Sequence, residues 1–279
     1  MSGATVFETK KLSETVGAEV VGLDRGQLLH DDALPFAVMA ALEANGALVF
    51  RGLHLDDESQ VELSRRLDQV GKYGTAELPR IFRVTLDPSK NPAAEYLRGT
   101  FAWHIDGSTD DVPTKATVLS AHTVATTGGE TEFASTYAAY DDLRDEEKER
   151  FAELRVVHSF ETSQRLVTPD PTPEELARWR AKPDKVHPLV WRHSSGRCSL
   201  VLGATATSVV GMGPEEGATL LAELQERATV PQKVYRHQWS VGDLVVWDNT
   251  GVMHRACPYD PSSQRDLHRT TMSGDEPIR

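Results

Sequence analysis

Residues 234–254 read VYRHQWSVGDLVVWDNTGVMH and contain two short strand-like runs, 234–239 and 244–247, separated by a glycine turn. Similar runs occupy residues 186–191 and 198–202, and one helical pattern covers residues 214–228. Short strands at close spacing, with few helices between them, favour an antiparallel architecture over an alternating α/β fold. The sequence therefore predicts a mainly β protein with flanking helices, built as a barrel or jelly roll.

The N-terminal part of the chain is expected to supply scaffold. Residues 5–23 form strand-like pieces broken by glycines, which suits a sheet edge. Acidic residues and a proline precede the apolar positions of a predicted helix over 31–45, and the apolar run 47–50 predicts a buried strand. Asp56 or Asp57 can cap the next helix, which is expected to end near residue 71.

Composition limits the class of protein. The 279 residues are 39% hydrophobic and 26% charged, which fits one globular domain over 1–279. A net charge of -12 predicts no nucleic-acid or membrane partner, so an anionic substrate would need a local cationic pocket. Cys198 and Cys257 show no metal-ligand or disulfide spacing. Without an apolar leader over 1–11 or a run of about 18 apolar residues, a cytoplasmic protein is expected.

Two segments have the composition of functional loops. Residues 72–100 mix proline, glycine, lysine, arginine and tyrosine, and residues 161–185 carry four prolines around a short helical piece. We expect both to be active-site loops or a lid. Lys72 and Arg98 are candidates for pairing with an anionic substrate and Tyr73 for lining its pocket, although solvated charge and packing are the commoner roles.

A metal site is suggested by His104 and Asp106. Residues two apart on an extended strand point to the same face, so this imidazole and this carboxylate can converge. His254 follows the turn after the run 244–247 and is the best second histidine. Two histidines and one carboxylate leave three positions on Fe(II) for a co-substrate and oxygen. The same set suits hydrolytic zinc, so a non-redox metal hydrolase is the alternative, and an ordinary hydrogen-bonded pair is the simplest one.

Two arginines favour the oxygenase. Arg265 and Arg269 follow His254 by eleven and fifteen positions and share a face in extended backbone. Guanidinium groups bind carboxylates at two points, and 2-oxoglutarate presents a distal carboxylate that must be anchored. A salt bridge to Asp266 is the alternative for either arginine, and Thr131, after a Gly-Gly turn, could add a hydroxyl. The other histidines singled out are predicted to be structural: His122, His158, His187, His193 and His237.

Several motifs together resemble the taurine dioxygenase and 2,4-dichlorophenoxyacetate dioxygenase (TauD/TfdA) family. They occur in that family's order: Trp103-His-Ile-Asp106, Thr127-Gly-Gly-Glu-Thr-Glu-Phe133, Ala138-Ala-Tyr-Asp-Asp-Leu143, Gly242-Asp-Leu-Val-Val-Trp-Asp-Asn249, His254-Arg255, and Arg265 to Arg269. The resemblance implies a double-stranded β-helix (jelly roll, cupin-like). It also implies His104, Asp106 and His254 as iron ligands, and the following anion-binding residues: Arg265 and Thr131 for 2-oxoglutarate, and Arg269 for the substrate.

The resemblance further implies a reaction. Fe(II), 2-oxoglutarate and O2 would hydroxylate a C–H bond and release succinate and CO2. Residues 202–211, 220–224 and 234–239 look closer to the aryloxyacetate branch, which favours a small carboxylate-bearing substrate. The alternatives within the family are a taurine or alkylsulfonate dioxygenase and a biosynthetic oxygenase that desaturates or oxidatively decarboxylates. A homo-oligomer is expected.

Overall fold

Short strands pair into four sheets in this computed structural model, which describes residues 7–68 and 81–279. The strands are β1 (Glu8–Lys11), β2 (Ala18–Val21), β3 (Ala47–Phe50), β4 (Phe82–Val84), β5 (Ala116–Thr123), β6 (Thr131–Ser135), β7 (Arg155–His158), β8 (Lys185–Pro188), β9 (Val190–Arg192), β10 (Cys198–Leu200), β11 (Ala206–Val209), β12 (Val234–His237), β13 (Leu244–Asp248), β14 (Val252–Ala256) and β15 (Asp266–Met272).

The major sheet has the order β1-β2-β3-β13-β5-β15-β4, and only the β2–β3 pair among the described strands is parallel. Smaller sheets of order β12-β6-β14, β11-β7-β8 and β10-β9 complete the β framework. The predicted jelly roll is confirmed. Strands from both ends of the described chain join the major sheet, and one domain over 1–279 stays a prediction.

Helices flank the sheets. They are α1 (Arg25–His30), α2 (Leu34–Asn45), α3 (Asp57–Asp68), α4 (Thr136–Asp141), α5 (Asp145–Phe151), α6 (Phe160–Arg165), α7 (Pro173–Arg180) and α8 (Pro214–Ala228), with 3-10 turns at Tyr96–Phe101, Pro231–Lys233 and Pro261–Ser263. Proline in the first turn starts α2, α7 and α8, because its missing N–H costs nothing there. The predictions for 31–45 and 214–228 are confirmed. The predicted end of α3 near residue 71 lies outside the described residues.

The apolar runs 47–50 and 244–247 pair with each other at the centre of the major sheet, as β3 and β13. Alternate side chains point to opposite faces of a strand, so each run is buried on both sides. Phe50 and Val246 pack with the helices, whereas Val245 and Trp247 pack toward the smaller sheet that contains Phe133. This second, inner face is where the candidate site forms.

Two sequence expectations were wrong in detail. The run 186–191 is not one strand: β8 and β9 belong to different sheets. Residues 104–106 are not a regular strand either, because His104 forms only an isolated bridge to His254 and the chain turns at Asp106. Both errors arise because sequence alternation cannot show where a strand changes its pairing partner.

Candidate metal centre

The structure brings His104, Asp106 and His254 together. His104 and His254 exchange backbone hydrogen bonds of 3.0 and 2.9 Å, which fixes the two segments side by side. His104 Nε2 lies 3.8 Å from Asp106 Oδ1, and His254 Nε2 lies 3.7 Å from Asp106 Oδ2. One ligand atom from each residue lies within 4.8 Å of the others. Two imidazoles and one carboxylate therefore converge as the sequence predicted.

Both imidazoles direct Nε2 toward the Asp106 carboxylate, and a hydrogen bond fixes the tautomer of His104. His104 Nδ1 lies 2.9 Å from the carbonyl oxygen of Ala102, so an Nδ1–H donates to it and the lone pair falls on Nε2. The His254 ring packs 4.6 Å from the Trp247 ring. Burial, reinforced by His104, lowers the pKa of His254 to about 3. A neutral imidazole of this kind offers a lone pair to a divalent metal.

Asp106 is held ionised by its neighbours. Burial favours the protonated form, but nearby positive charge, including that of Arg269, opposes it and lowers the pKa of Asp106. Thr117 Oγ1 also donates to Asp106 Oδ2 at 3.2 Å. The carboxylate is therefore charged at neutral pH, as a metal ligand must be.

A chain of hydrogen bonds orients Thr117. Its hydroxyl accepts a bond of 2.9 Å from Asn249 Nδ2, and Asn249 Oδ1 accepts one of 2.9 Å from the Trp247 indole. Because the Thr117 hydroxyl accepts from Asn249, its own proton is directed to Asp106. Sequence reasoning missed both residues. The sequence shows Asn249 only as a turn residue at the end of the Gly242–Asn249 motif, and a threonine in a strand carries no signal of its own.

Arg265 is a buried guanidinium with no carboxylate partner in the described part of the chain. Only 2% of the residue is exposed, and its Nε donates to the carbonyl of Gly129 at 3.0 Å. Its guanidinium carbon stacks 4.7 Å from the Tyr259 ring centre, and burial lowers its pKa. Within residues 7–68 and 81–279, Nη1 has no hydrogen-bond partner and no carboxylate lies within 4.0 Å. An unpaired buried cation is costly, so this position fits the distal carboxylate of 2-oxoglutarate.

The Gly-Gly turn before β6 makes room for Arg265. A Cβ on Gly129 would lie 2.9 Å from the Arg265 Cδ, and one on Gly128 would lie 2.2 Å from the carbonyl oxygen of Pro258. Both glycines also have positive φ, 71° and 76°, which other residues rarely adopt. Close packing and positive φ therefore both favour glycine at these two positions, which the sequence alone did not reveal.

Thr131 lies beside this arginine site. Its Oγ1 accepts a bond of 3.0 Å from the Trp239 indole, which leaves its own O–H free to donate to a carboxylate. Trp239 and Arg265 line the same cavity of about 330 Å³. The predicted role of Thr131 in binding 2-oxoglutarate is compatible with this placement and stays a prediction.

Arg269 reaches the metal donors. Its Nη1 lies 3.7 Å from Asp106 Oδ2, and its guanidinium carbon lies 4.8 Å from the ring centre of Phe82 on the neighbouring β4. Its Nε is buried and finds no hydrogen-bond partner in the described part of the chain. A cation beside the metal donors, with a free N–H and an aromatic neighbour, fits an anionic substrate.

The other predicted substrate residues are Arg98, Lys72 and Tyr73. Arg98 is exposed and pairs with Glu95 at 3.4 Å. Lys72 and Tyr73 lie outside the described residues. The roles of these three stay predictions.

Each of the two predicted loop segments has a contact near the metal donors. Tyr96, in segment 72–100, stacks on Phe160, the residue just before segment 161–185, with ring centres 5.8 Å apart. Lys182, in segment 161–185, pairs with Asp110, four residues beyond Asp106, at 3.2 Å. This pair places part of 161–185 beside the segment that carries the metal donors. A lid role for either segment stays a prediction.

A jelly roll with two imidazoles, a carboxylate and a buried unpaired arginine defines the class of non-haem iron oxygenases that use 2-oxoglutarate. Comparison with known families agrees. Residues 8–271 match the model described as "Taurine catabolism dioxygenase TauD, TfdA family". The chain belongs to this family.

Individual relatives agree with the family. A 2,4-dichlorophenoxyacetate dioxygenase from Burkholderia sp. (strain RASC), named as α-ketoglutarate-dependent, is 38% identical over 84% of this chain and 83% of its own. An (S)-phenoxypropionate/α-ketoglutarate dioxygenase from Sphingobium herbicidovorans is 32% identical over 96% of both chains. The crystal structure of AAD-2 with Mn(II) and N-oxalylglycine superposes with a TM-score of 0.82, at 33% identity over 98% of this chain and 100% of its own.

These comparisons confirm the predicted fold, the oxidoreductase class and the dependence on Fe(II), 2-oxoglutarate and O2. They do not assign roles to individual residues. In the described residues, no helix has the length and apolar character needed to cross a membrane.

Proposed function

We propose that this protein hydroxylates a C–H bond of a small, carboxylate-bearing, aryloxyacetate-like substrate. One molecule each of 2-oxoglutarate and O2 would be consumed, and succinate and CO2 released. The observation that carries the substrate class is Arg269, whose Nη1 lies 3.7 Å from the carboxylate of Asp106 while its guanidinium faces the ring of Phe82. A cation and an aromatic ring beside the metal donors match a substrate with a carboxylate and an apolar body.

The metal donors and the anion-binding residues have separate tasks in this proposal. His104, Asp106 and His254 would hold Fe(II), which together with 2-oxoglutarate and O2 supplies the oxidising chemistry. Arg265, which is buried and whose Nη1 forms no hydrogen bond with a described residue, would bind the distal carboxylate of 2-oxoglutarate with help from the Thr131 hydroxyl. Burial keeps water from competing for these charged hydrogen bonds, so each contributes more than it would at the surface.

Two of the relatives described above are named for phenoxy acids, which combine an aromatic ring with a carboxylate, and these two favour a carboxylate over a sulfonate. The taurine or alkylsulfonate alternative shares the same metal donors and arginines, so it differs from our proposal only in the anion that Arg269 meets. The hydrolase alternative requires neither Arg265 nor Arg269 and does not fit the family.

A substrate panel tests the proposal. The Fe(II) protein is supplied with 2-oxoglutarate and with phenoxyacetates, aliphatic carboxylates, or taurine and other sulfonates, while oxygen uptake and succinate are followed. We expect phenoxyacetates to raise succinate formation most, with one oxidised product per succinate. Greater stimulation by sulfonates would overturn the substrate class. Product mass distinguishes hydroxylation from desaturation, because only hydroxylation adds an oxygen atom.

Three broader expectations remain proposals. We propose that the protein acts in the cytoplasm, forms a homo-oligomer and binds neither nucleic acid nor membranes. The net charge of -12 supports the last of these through repulsion of phosphate groups. Light scattering coupled to gel filtration would measure the subunit count, and a monomer would refute the oligomer.

A further inference from the structure

A second group of imidazoles and a carboxylate lies outside the proposed active site. Asp57 begins α3, His122 is near the end of β5, and His268 is in the middle of β15. Each offers one ligand atom, and these atoms lie within 4.8 Å of one another. Within residues 7–68 and 81–279, this group and the His104, Asp106 and His254 group are the only ones that meet this condition. The two groups also have the same donor set, two histidines and one aspartate.

The second group faces the other side of the major sheet. Successive residues of a strand point to opposite faces, and Arg269 points to the proposed iron site, where it meets Asp106 at 3.7 Å. His268 accordingly points away from that site, toward α3. There its Nδ1 lies 2.5 Å from Asp57 Oδ1. The sheet thus separates the two groups, and the second is not an extension of the first.

The two histidine rings of this group lie directly against each other. The rings of His122 and His268 stack with centres 3.7 Å apart and an angle of 20° between their planes. Two imidazolium ions at this distance would repel each other, and burial together with His268 lowers the pKa of His122. His268 Nε2 is buried and lies 3.7 Å from Asp266 Oδ1, and it forms no hydrogen bond with a described residue. A buried nitrogen that forms no hydrogen bond is costly unless a ligand satisfies it.

The surrounding charges leave the group able to accept a cation. Arg83 and Lys90 are the nearby cations, and both pair with Asp266, Lys90 at 3.9 Å. Their charge is therefore opposed by a carboxylate outside the donor set. The Asp57 carboxylate pairs with His268. Its side chain is half-exposed, so a hydrated ion can reach it from solvent.

We infer that Asp57, His122 and His268 form a second metal site, for a divalent ion that favours imidazole, such as Zn²⁺ or Ni²⁺. Two imidazoles and one carboxylate suit such ions, and water can complete the coordination. The ion would tie the start of α3 to β5 and β15. Since β15 carries Arg269, occupancy of this site would also stiffen the strand that positions the proposed substrate anion. Sequence reasoning treated His122 as structural and did not consider His268.

Zinc stoichiometry tests the inference. The variant His104→Ala/His254→Ala lacks two donors of the first group, and its bound zinc is measured by competition with a chromophoric chelator. We expect about one equivalent of zinc to remain and to be lost on adding Asp57→Asn. His30→Gln, which changes an exposed histidine outside both groups, is the matched control and should change nothing. No retained zinc, or zinc that survives Asp57→Asn, would overturn the site and leave Asp57 and His268 as a plain hydrogen-bonded tether.

A second measurement covers the case in which that variant does not fold. The protein without substitutions should bind about two equivalents of Zn²⁺, and the single variants His122→Gln and Asp57→Asn should each bind about one. Cobalt substitution adds a spectroscopic check, because the visible Co²⁺ bands of the second site should disappear in His122→Gln and persist in His30→Gln. A single equivalent in the unaltered protein, undiminished by His122→Gln, would refute the inference.

Discussion

Replacing Arg265 by methionine should weaken 2-oxoglutarate binding without weakening the fold. A charged hydrogen bond contributes about 1.5–3 kcal/mol, so losing the guanidinium should reduce affinity at least roughly 10- to 100-fold. The free energy of unfolding, in contrast, should not fall. The arginine is 2% exposed and its Nη1 finds no partner in the described part of the chain, and replacing buried charge by an apolar side chain of similar size is often stabilising. We expect the free energy of unfolding to be unchanged or to rise by up to about 2 kcal/mol.

Two assays measure these effects separately. Anaerobic calorimetric titration of the metal-loaded protein gives the affinity for 2-oxoglutarate, and urea unfolding without 2-oxoglutarate gives the stability. Arg227→Met is the matched control, because Arg227 pairs with Glu147 at 2.7 Å on the protein surface. It should leave the affinity unchanged and slightly lower the stability. If Arg265→Met bound 2-oxoglutarate as tightly as the natural protein, or lost several kcal/mol of stability, the reasoning would be refuted.

Other predictions concern the metal, the substrate and pH. Asn249→Ala should weaken metal affinity about tenfold, because Thr117 would lose the bond that directs its proton to Asp106; unchanged affinity in a metal competition assay would contradict this relay. Arg269→Ala should raise the KM for substrate about 10- to 100-fold and change the KM for 2-oxoglutarate much less. Equal increases in the two KM values would contradict the assignment of Arg269 to the substrate. Burial lowers the pKa of His158 to about 3, well below the ordinary value of about 6.5 for a histidine. The unfolded chain therefore binds more protons, and stability should fall as pH drops below about 6.5, by about 2 kcal/mol at pH 5 from this residue. Urea unfolding of His158→Gln should show a shallower pH dependence, and an unchanged slope would contradict the assignment.

The sequence predicted those features that depend on local pattern or on a motif. The buried strand 47–50 and the helix 214–228 follow from apolar periodicity and turn residues, and both form as predicted. His104 and His254 could be paired only through the ordered motifs around them. The structure supplies the direct reason for their closeness, which is the backbone bridge between the two residues.

The features that the sequence could not predict depend on contacts between distant segments. Thr117 and Asn249 look like an ordinary strand residue and an ordinary turn residue until β5 and β13 pair and bring them together. The Gly128–Gly129 turn is visible in the sequence, but its close contact with Arg265 appears only in the folded chain. His268 and Asp57 are more than two hundred positions apart, and only the packing of α3 on β15 joins them.

The central claim is most directly tested by adding 2-oxoglutarate to the Fe(II) protein without oxygen. Chelation of iron by the keto acid should produce a visible charge-transfer absorption that saturates at one 2-oxoglutarate per iron. The same absorption should be missing from His254→Ala at equal protein concentration. No absorption in protein shown by analysis to contain iron, at any concentration of 2-oxoglutarate, would contradict the account.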